Sequence, residues 1–280
     1  MTAADRMTML GCQIDIPPMT SSSERDAHLS VMATKVRQQL SYQDADLVVL
    51  PELSSIDYAR ATFDCLNEIA EPLDGESFKT WRAVARECRV FISYGFARQS
   101  QNGFFICAAV VNPKGELVGH YDKLHLAHYG ASMEKDYFTR GTHLFTFRVK
   151  QFCLAPIICY DIRMPELTRT LVLDHGVDAI LHSGAYFRDP SFSSWHAFAT
   201  TRAIENQIFL LSLNRAGSDY GSSLFCWPWM DEMTQPVTFA QTEEDFKIVT
   251  LDKAALHDAR SQYAFLQDRL DDYAIPLISD

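Results

Sequence analysis

The sequence predicts an α/β fold in which two mixed sheets pack face to face with helices on the outside. Three observations carry this. Short, continuously apolar runs such as Leu47-Val48-Val49-Leu50 mark strands covered on both faces. Amphipathic helical stretches alternate with these strands. Hairpins interrupt the alternation, which excludes a pure doubly wound parallel sheet. With 280 residues, 47% of them hydrophobic, the chain can bury a large core. No repeat, low-complexity tract or linker divides it, so residues 1–280 are expected to form one domain.

Taken in order, Met9 to Ile16 alternates as a first strand and Pro17-Pro18 ends it. Ser21-Ser22-Ser23-Glu24 offers an N-cap, and Leu29, Met32, Val36 and Leu40 follow at helical spacing. The buried strand from Leu47 ends in Pro51-Glu52, where a carboxylate is costly unless paired or used. Gly75 to Glu87 reads as a second amphipathic helix. Val90 to Phe96 and Phe104 to Asn112 read as a hairpin around a polar tip, Gln99 to Gly103. Leu117 to Tyr121 is a strand leading directly into Asp122-Lys123, and Ala127 to Gly141 is loop-like and carries Glu134.

Leu144 to Val149 and Phe152 to Cys159 read as paired strands. After them comes a tight turn and a helix opening at Pro165, a residue suited to the first helical position. That helix stops at Gly176. Ala179 to His182 is a strand, and a loop with Gly184-Ala185-Tyr186 follows it. A helix then runs from Asp189-Pro190 to about Asn206. Strands over Gln207 to Leu213, Leu224 to Cys226 and Phe246 to Leu251 complete the sheets. The tail from Leu256 is helical at first, then irregular.

Composition excludes several classes. A net charge of −11 disfavours nucleic acid and anionic membrane surfaces as partners. No apolar run is long enough to span a bilayer, and the N-terminus lacks the apolar core of a signal peptide. Seven cysteines, scattered and without a CxxC pair, argue against a disulfide framework or structural zinc and fit a reducing cytoplasm. His125 and His128 could face together on a helix, but no third ligand is evident, so no metal is expected. The absence of GxGxxG and GxxxxGK[ST] argues against a nucleotide-binding domain.

Glu52, Lys123 and Cys159 each follow a strand, and residues just past strand ends converge on one crevice in layered α/β folds. Together they form a coherent chemical set. A thiolate attacks a carbon multiply bonded to O or N. The carboxylate takes and returns protons. The ammonium and the Tyr160 backbone N–H stabilise the oxyanion. The ammonium is also expected to lower the thiol pKa. Alone, each has a plainer reading: a buried thiol, a structural ion pair, a surface lysine. Glu166, in a first helical turn, and the Arg202/Glu205 pair, three apart, are read as structural.

Val49-Leu50-Pro51-Glu52, Tyr121-Asp122-Lys123-Leu124-His125-Leu126 and Ile158-Cys159-Tyr160-Asp161-Ile162-Arg163-Met164-Pro165-Glu166 occur in that order. Thr201-Arg202-Ala203-Ile204-Glu205-Asn206-Gln207 follows with Trp195 before it. This set resembles the nitrilase superfamily of carbon–nitrogen hydrolases over nearly the whole chain, in its amidase-like branch. The resemblance implies a four-layer αββα sandwich that pairs into a homodimer or higher homo-oligomer, and hydrolysis through a cysteine thioester with no cofactor or metal. It implies Glu52 as base, Lys123 as oxyanion partner, Cys159 as nucleophile and Glu134, 25 residues before the cysteine, as a second glutamate that positions the substrate. Tyr58, Tyr160, Arg163, Ala185 and Tyr186 are candidate substrate contacts, and Gly184-Ala185-Tyr186 is similar to a segment of the ω-amidase branch. Arg163 or Arg188 could take a substrate carboxylate bidentately. The expected partners are a small amide and water. An N-carbamoyl hydrolase and, after it, a nitrilase are the alternatives within the family; a non-catalytic binding subunit is the alternative of another class.

Overall fold

In the computed structural model, residues 3–130, 132–270 and 272–278 are described. The strands are β1 (Arg6–Gln13), β2 (Leu47–Val49), β3 (Phe91–Ser100), β4 (Gly103–Val111), β5 (Leu117–Asp122), β6 (Phe147–Val149), β7 (Phe152–Ile158), β8 (Ala179–Ser183), β9 (Phe209–Leu213), β10 (Leu224–Cys226), β11 (Val237–Thr238) and β12 (Asp245–Asp252). They form two six-stranded sheets, ordered β12-β1-β2-β3-β4-β5 and β11-β10-β9-β8-β7-β6. Both are mixed. β1, β2 and β3 are mutually parallel, as are β7, β8 and β9, while antiparallel pairings extend each sheet.

The helices are α1 (Ser22–Leu40), α2 (Arg60–Phe63), α3 (Leu66–Ile69), α4 (Glu76–Cys88), α5 (Glu134–Tyr137), α6 (Pro165–His175), α7 (Phe192–Asn206), α8 (Lys253–Gln262) and α9 (Phe265–Asp268). α1 starts in a full capping box: the Ser21 side chain accepts from the Glu24 N–H and the Glu24 carboxylate accepts from the Ser21 N–H. Gly176, at φ 64°, ends α6 in the left-handed conformation that glycine adopts without cost.

Side-chain alternation along the strands builds the four layers. Met7, Met9, Leu47 and Val49 face Phe152, Leu181, Phe209 and Leu211 between the sheets. Their neighbours turn outward. Leu10, Val48 and Ile92 pack under Leu29 and Val36 of α1 and Trp81 of α4; Ile157, Ile180 and Leu210 pack under Leu171 of α6 and Trp195 of α7. Each such side chain contributes about 1.5–3 kcal/mol by leaving water. Gly11 lets the sheets approach: a Cβ there would stand 2.8 Å from the Phe239 ring.

The element order follows the sequence closely, with informative differences. β3 runs to Ser100, so Arg98-Gln99-Ser100 belong to the ladder opposite Gly103-Phe104-Phe105, and the hairpin loop shrinks to Gln101-Asn102. Cross-strand hydrogen bonds outweigh the polar side chains that suggested a turn. α2, α3 and β11 have no clear sequence signal; elements this short are set by their surroundings rather than by propensity.

Candidate active site

Glu52 is placed by a close backbone crossing. The turn after β2 lies directly on β3 at Gly95, where a Cβ would collide with the Pro51 carbonyl and the Leu53 nitrogen. Leu53 has a positive φ of 47°, and the Ser54 hydroxyl donates to the Gly95 carbonyl at 2.9 Å. Lys123 follows β5, and its N–H donates to the Ile106 carbonyl at 2.9 Å. Asp122 beside it is clamped by the Arg98 guanidinium through two bonds of 2.8 and 2.6 Å. Glu134 opens α5, and its Oε2 accepts the Ala127 N–H at 2.8 Å.

Cys159 sits where β7 ends and a 3₁₀ turn over Cys159–Arg163 begins. Its φ of 45° is left-handed, costly for a residue with a Cβ and sustained only by its surroundings. Asp161 supplies them from inside the turn. Its carboxylate accepts the Ile158 N–H at 3.0 Å, the Tyr121 hydroxyl at 2.7 Å and the His125 N–H at 3.0 Å. The cysteine carbonyl is held by the Tyr186 hydroxyl at 2.7 Å and by His182 Nε2 at 3.0 Å. His182 Nδ1 lies 2.7 Å from Ser212 Oγ, which accepts Trp195 Nε1–H at 2.7 Å. A carbonyl can only accept, so Nε2 carries the proton and the chain runs Trp195 to Ser212 to His182 to Cys159. Burial pushes the His182 pKa down to about 4, so the ring is neutral.

The four groups expected to act together lie at one site. Lys123 Nζ donates to Glu52 Oε1 at 2.8 Å and to Glu134 Oε1 at 2.7 Å, all three side chains being fully buried. Glu52 Oε2 accepts the Ala185 N–H at 2.8 Å, and the Tyr58 hydroxyl donates to Glu134 Oε1 at 2.8 Å. Burial raises the Glu52 pKa to about 7, against the pull of the Lys123 ammonium and with the Glu134 charge adding. Burial alone would lower the Lys123 pKa, but Glu134 and Glu52 outweigh it and hold the ammonium charged.

The thiol departs from expectation. The Lys123 ammonium does pull the Cys159 pKa down, yet burial and the Glu52 charge push it up further, well above the ordinary thiol value. Two carboxylates share the lysine's charge, so little of it is left for sulfur. The resting group is a thiol, and the carboxylate beside it has a pKa suited to taking its proton.

A cavity of about 170 Å³ opens onto Cys159, and Tyr58, Glu134, Ala185 and Tyr186 line it. Tyr160 and Arg163 do not. The Tyr160 side chain borders a neighbouring depression and its ring meets Tyr129 at 5.5 Å. The Arg163 guanidinium lies 4.9 Å from the centre of the Phe198 ring and 5.5 Å from that of Tyr129. The turn after the cysteine leaves both side chains outside the cavity lining; the Tyr160 backbone N–H lies in the first turn, where helical donors lack internal partners. Arg188 is engaged by the Tyr220 carbonyl and the Ser222 hydroxyl at 2.8 and 3.0 Å. His125 is not helical; its Nδ1 lies 2.7 Å from Asp161. Arg202 and Glu205 pair at 2.9 Å, as the spacing suggested.

Sequence reading missed Asp161 and His182 as supports of the cysteine. His182 carried the signal that found Glu52, a titratable residue closing a buried strand. Asp161 stood inside a quoted motif without being assigned a role.

Comparison with known proteins converges on one group. The family model described as carbon-nitrogen hydrolase matches residues 10–261. The human omega-amidase NIT2 is 27% identical over 253 residues, covering 86% of this chain and 89% of that protein. An (R)-stereoselective amidase from a Pseudomonas species is 29% identical over 228 residues, covering 81% and 80%. Among solved structures, the carbon-nitrogen hydrolase from Helicobacter pylori G27 superposes with a TM-score of 0.83 at 20% identity over 97% of each chain.

Proposed function

The chain belongs to the carbon–nitrogen hydrolase family, and from that premise we propose how its buried site cleaves a small, non-peptide amide with release of ammonia. The chain is an amidase-type carbon–nitrogen hydrolase; the residue roles below are proposed. The single observation that carries them is the buried Glu52–Lys123–Glu134 array against the Cys159 thiol.

Glu52 takes the thiol proton as sulfur attacks the amide carbon, and the carbonyl oxygen becomes an oxyanion. Lys123 has three N–H donors, two of which bond the glutamates; the third and the Tyr160 backbone N–H are the donors available to that oxygen. Glu52 then returns its proton to the amide nitrogen, the C–N bond breaks, and ammonia leaves an acyl thioester on Cys159. Water attacks the thioester with Glu52 again as base, the C–S bond breaks, and the carboxylic acid leaves with the thiol restored. Glu134 holds Lys123 and borders the cavity, so it orients both ammonium and substrate.

The test uses a panel of small amides, ureido acids and nitriles. Wild-type protein is expected to release ammonia from amides first. Cys159→Ala is expected to lose at least about 10⁴-fold in kcat/KM while keeping its fold, and the wild-type adduct on Cys159 is read by mass spectrometry. Preferred turnover of ureido acids or nitriles would move the assignment to a carbamoyl hydrolase or a nitrilase; undiminished ammonia release by the alanine variant sinks the mechanism.

A reducing, cytoplasmic location is supported by seven cysteines that are all free; no helix among the described residues is long and apolar enough to cross a membrane. Assembly as a homodimer or larger homo-oligomer is supported by apolar side chains left bare on the C-terminal segment.

A further inference from the structure

We infer that the outer part of the cavity selects an amide whose far end carries an ammonium group, with Asp189 as its counter-charge. The inference rests on the amide-hydrolase reading and deepens it. Asp189 lines the same cavity as Cys159, together with Tyr129, Phe187 and Ser191. One carboxylate oxygen is fixed: Oδ1 accepts the Ser191 N–H and hydroxyl, both at 2.7 Å. The other, Oδ2, lies against Gly130, where a Cβ would collide with it and where φ is +57°. The glycine leaves room for that oxygen.

No salt bridge to Asp189 is found among the described residues. Among the described residues no basic side chain lines the cavity. Lys123 is shared by Glu52 and Glu134, and Arg215 is paired with Asp57 at 2.6 Å. Arg188, next in the chain, keeps its charge, but its guanidinium is held outside the lining by the Tyr220 and Gln241 carbonyls and the Ser222 hydroxyl. Among the described residues Arg163 has no carboxylate partner, and its Nε and Nη2 are buried without a hydrogen-bond partner, but its guanidinium lies behind the Tyr129 ring and outside the lining. The reactive array is thus neutral or singly negative, and Asp189 adds one negative charge nearer the mouth. Within the lining a carboxylate-tailed amide would meet that charge and no cation, whereas an ammonium would be paired. Phe187, partly exposed and without a cation over its ring among the described residues, offers the ammonium an aromatic face. A chain charge of −11 draws cationic substrates inward and disfavours anionic ones.

The experiment compares amides of equal length ending in an ammonium, a methyl or a carboxylate. Wild-type kcat/KM is expected to favour the ammonium over the methyl about tenfold, with the carboxylate poorest. Asp189→Asn keeps the acceptor for Ser191, and it is expected to lower the ammonium-to-methyl ratio about tenfold. Equal turnover of the three, a preference for the carboxylate, or an unchanged ratio in the variant overturns the inference. Calorimetric binding of the same amides to Cys159→Ala separates the two readings. Binding that favours the ammonium without turnover by wild type would sink the hydrolytic reading alone. Turnover with no tail preference in binding or rate would sink this inference alone.

Discussion

At the scale of single residues, the site is governed by how one buried positive charge is divided. Lys123 is held between two glutamates, and truncating it would leave buried carboxylates unpaired, a change that costs on the order of 3–5 kcal/mol. Burial raises the Cys159 pKa well above the ordinary thiol value and that of Glu52 to about 7, and the shared lysine charge only partly offsets either shift. A pH dependence follows with a definite sign. As the proposed base, Glu52 must be ionised, and burial raises its pKa, so the ionised fraction falls as pH drops below about 7. kcat/KM is expected to rise with pH through that value and to fall toward about tenfold per unit on the acid side. Glu52→Gln is expected to lose about 10²–10⁴-fold and to abolish that acid limb. A limb centred near the ordinary carboxylate value in wild type would show that burial does not set this pKa.

At the scale of elements, placement depends on close backbone approaches rather than on side-chain contacts alone. β3 can carry the Pro51-Glu52-Leu53 turn only because Gly95 has no side chain. Gly95→Ala would meet the Pro51 carbonyl backbone, which cannot rotate away. It is expected to destabilise the protein by about 1–3 kcal/mol, typical of overpacking, and to lower kcat by displacing Glu52. Denaturant unfolding and steady-state kinetics measure the two effects; unchanged stability together with unchanged kcat would show that the crossing is loose. β7 makes the complementary case. Its last residue leads into a cysteine with positive φ, and Asp161, Tyr186 and His182 hold that geometry from three different elements.

At the scale of the whole molecule, two sheets bury one face against each other and the other under helices, so little apolar surface is left exposed by the core. The C-terminal segment is different. Tyr273 is 70% exposed, Ile275 62% and Leu277 90%. Exposed apolar side chains on this segment support the proposed self-association. Sedimentation velocity at micromolar concentration is expected to show a dimer or larger species, and removing residues 270–280 is expected to weaken it. A monomer at every concentration would overturn the oligomeric reading.

The sequence by itself determined the layer order, the strand ends that carry Glu52, Lys123 and Cys159, and the helix caps at Ser21 and Gly176. Hydrophobic periodicity, proline and glycine act locally, so a local reading captures them. It also pointed to the carbon–nitrogen hydrolase family, because the motifs occur together and in order. Tertiary structure alone decided the rest. The direction of the Cys159 pKa depends on burial and on charges far apart in sequence, and it came out opposite to the local expectation. Tyr160 and Arg163 lie beside Cys159 in sequence, yet their side chains fall outside the cavity lining, while Asp189, 30 residues downstream, is part of it. Sequence neighbours diverge within one helical turn and distant residues converge across two sheets. Which groups share a cavity is therefore a property of the packed chain.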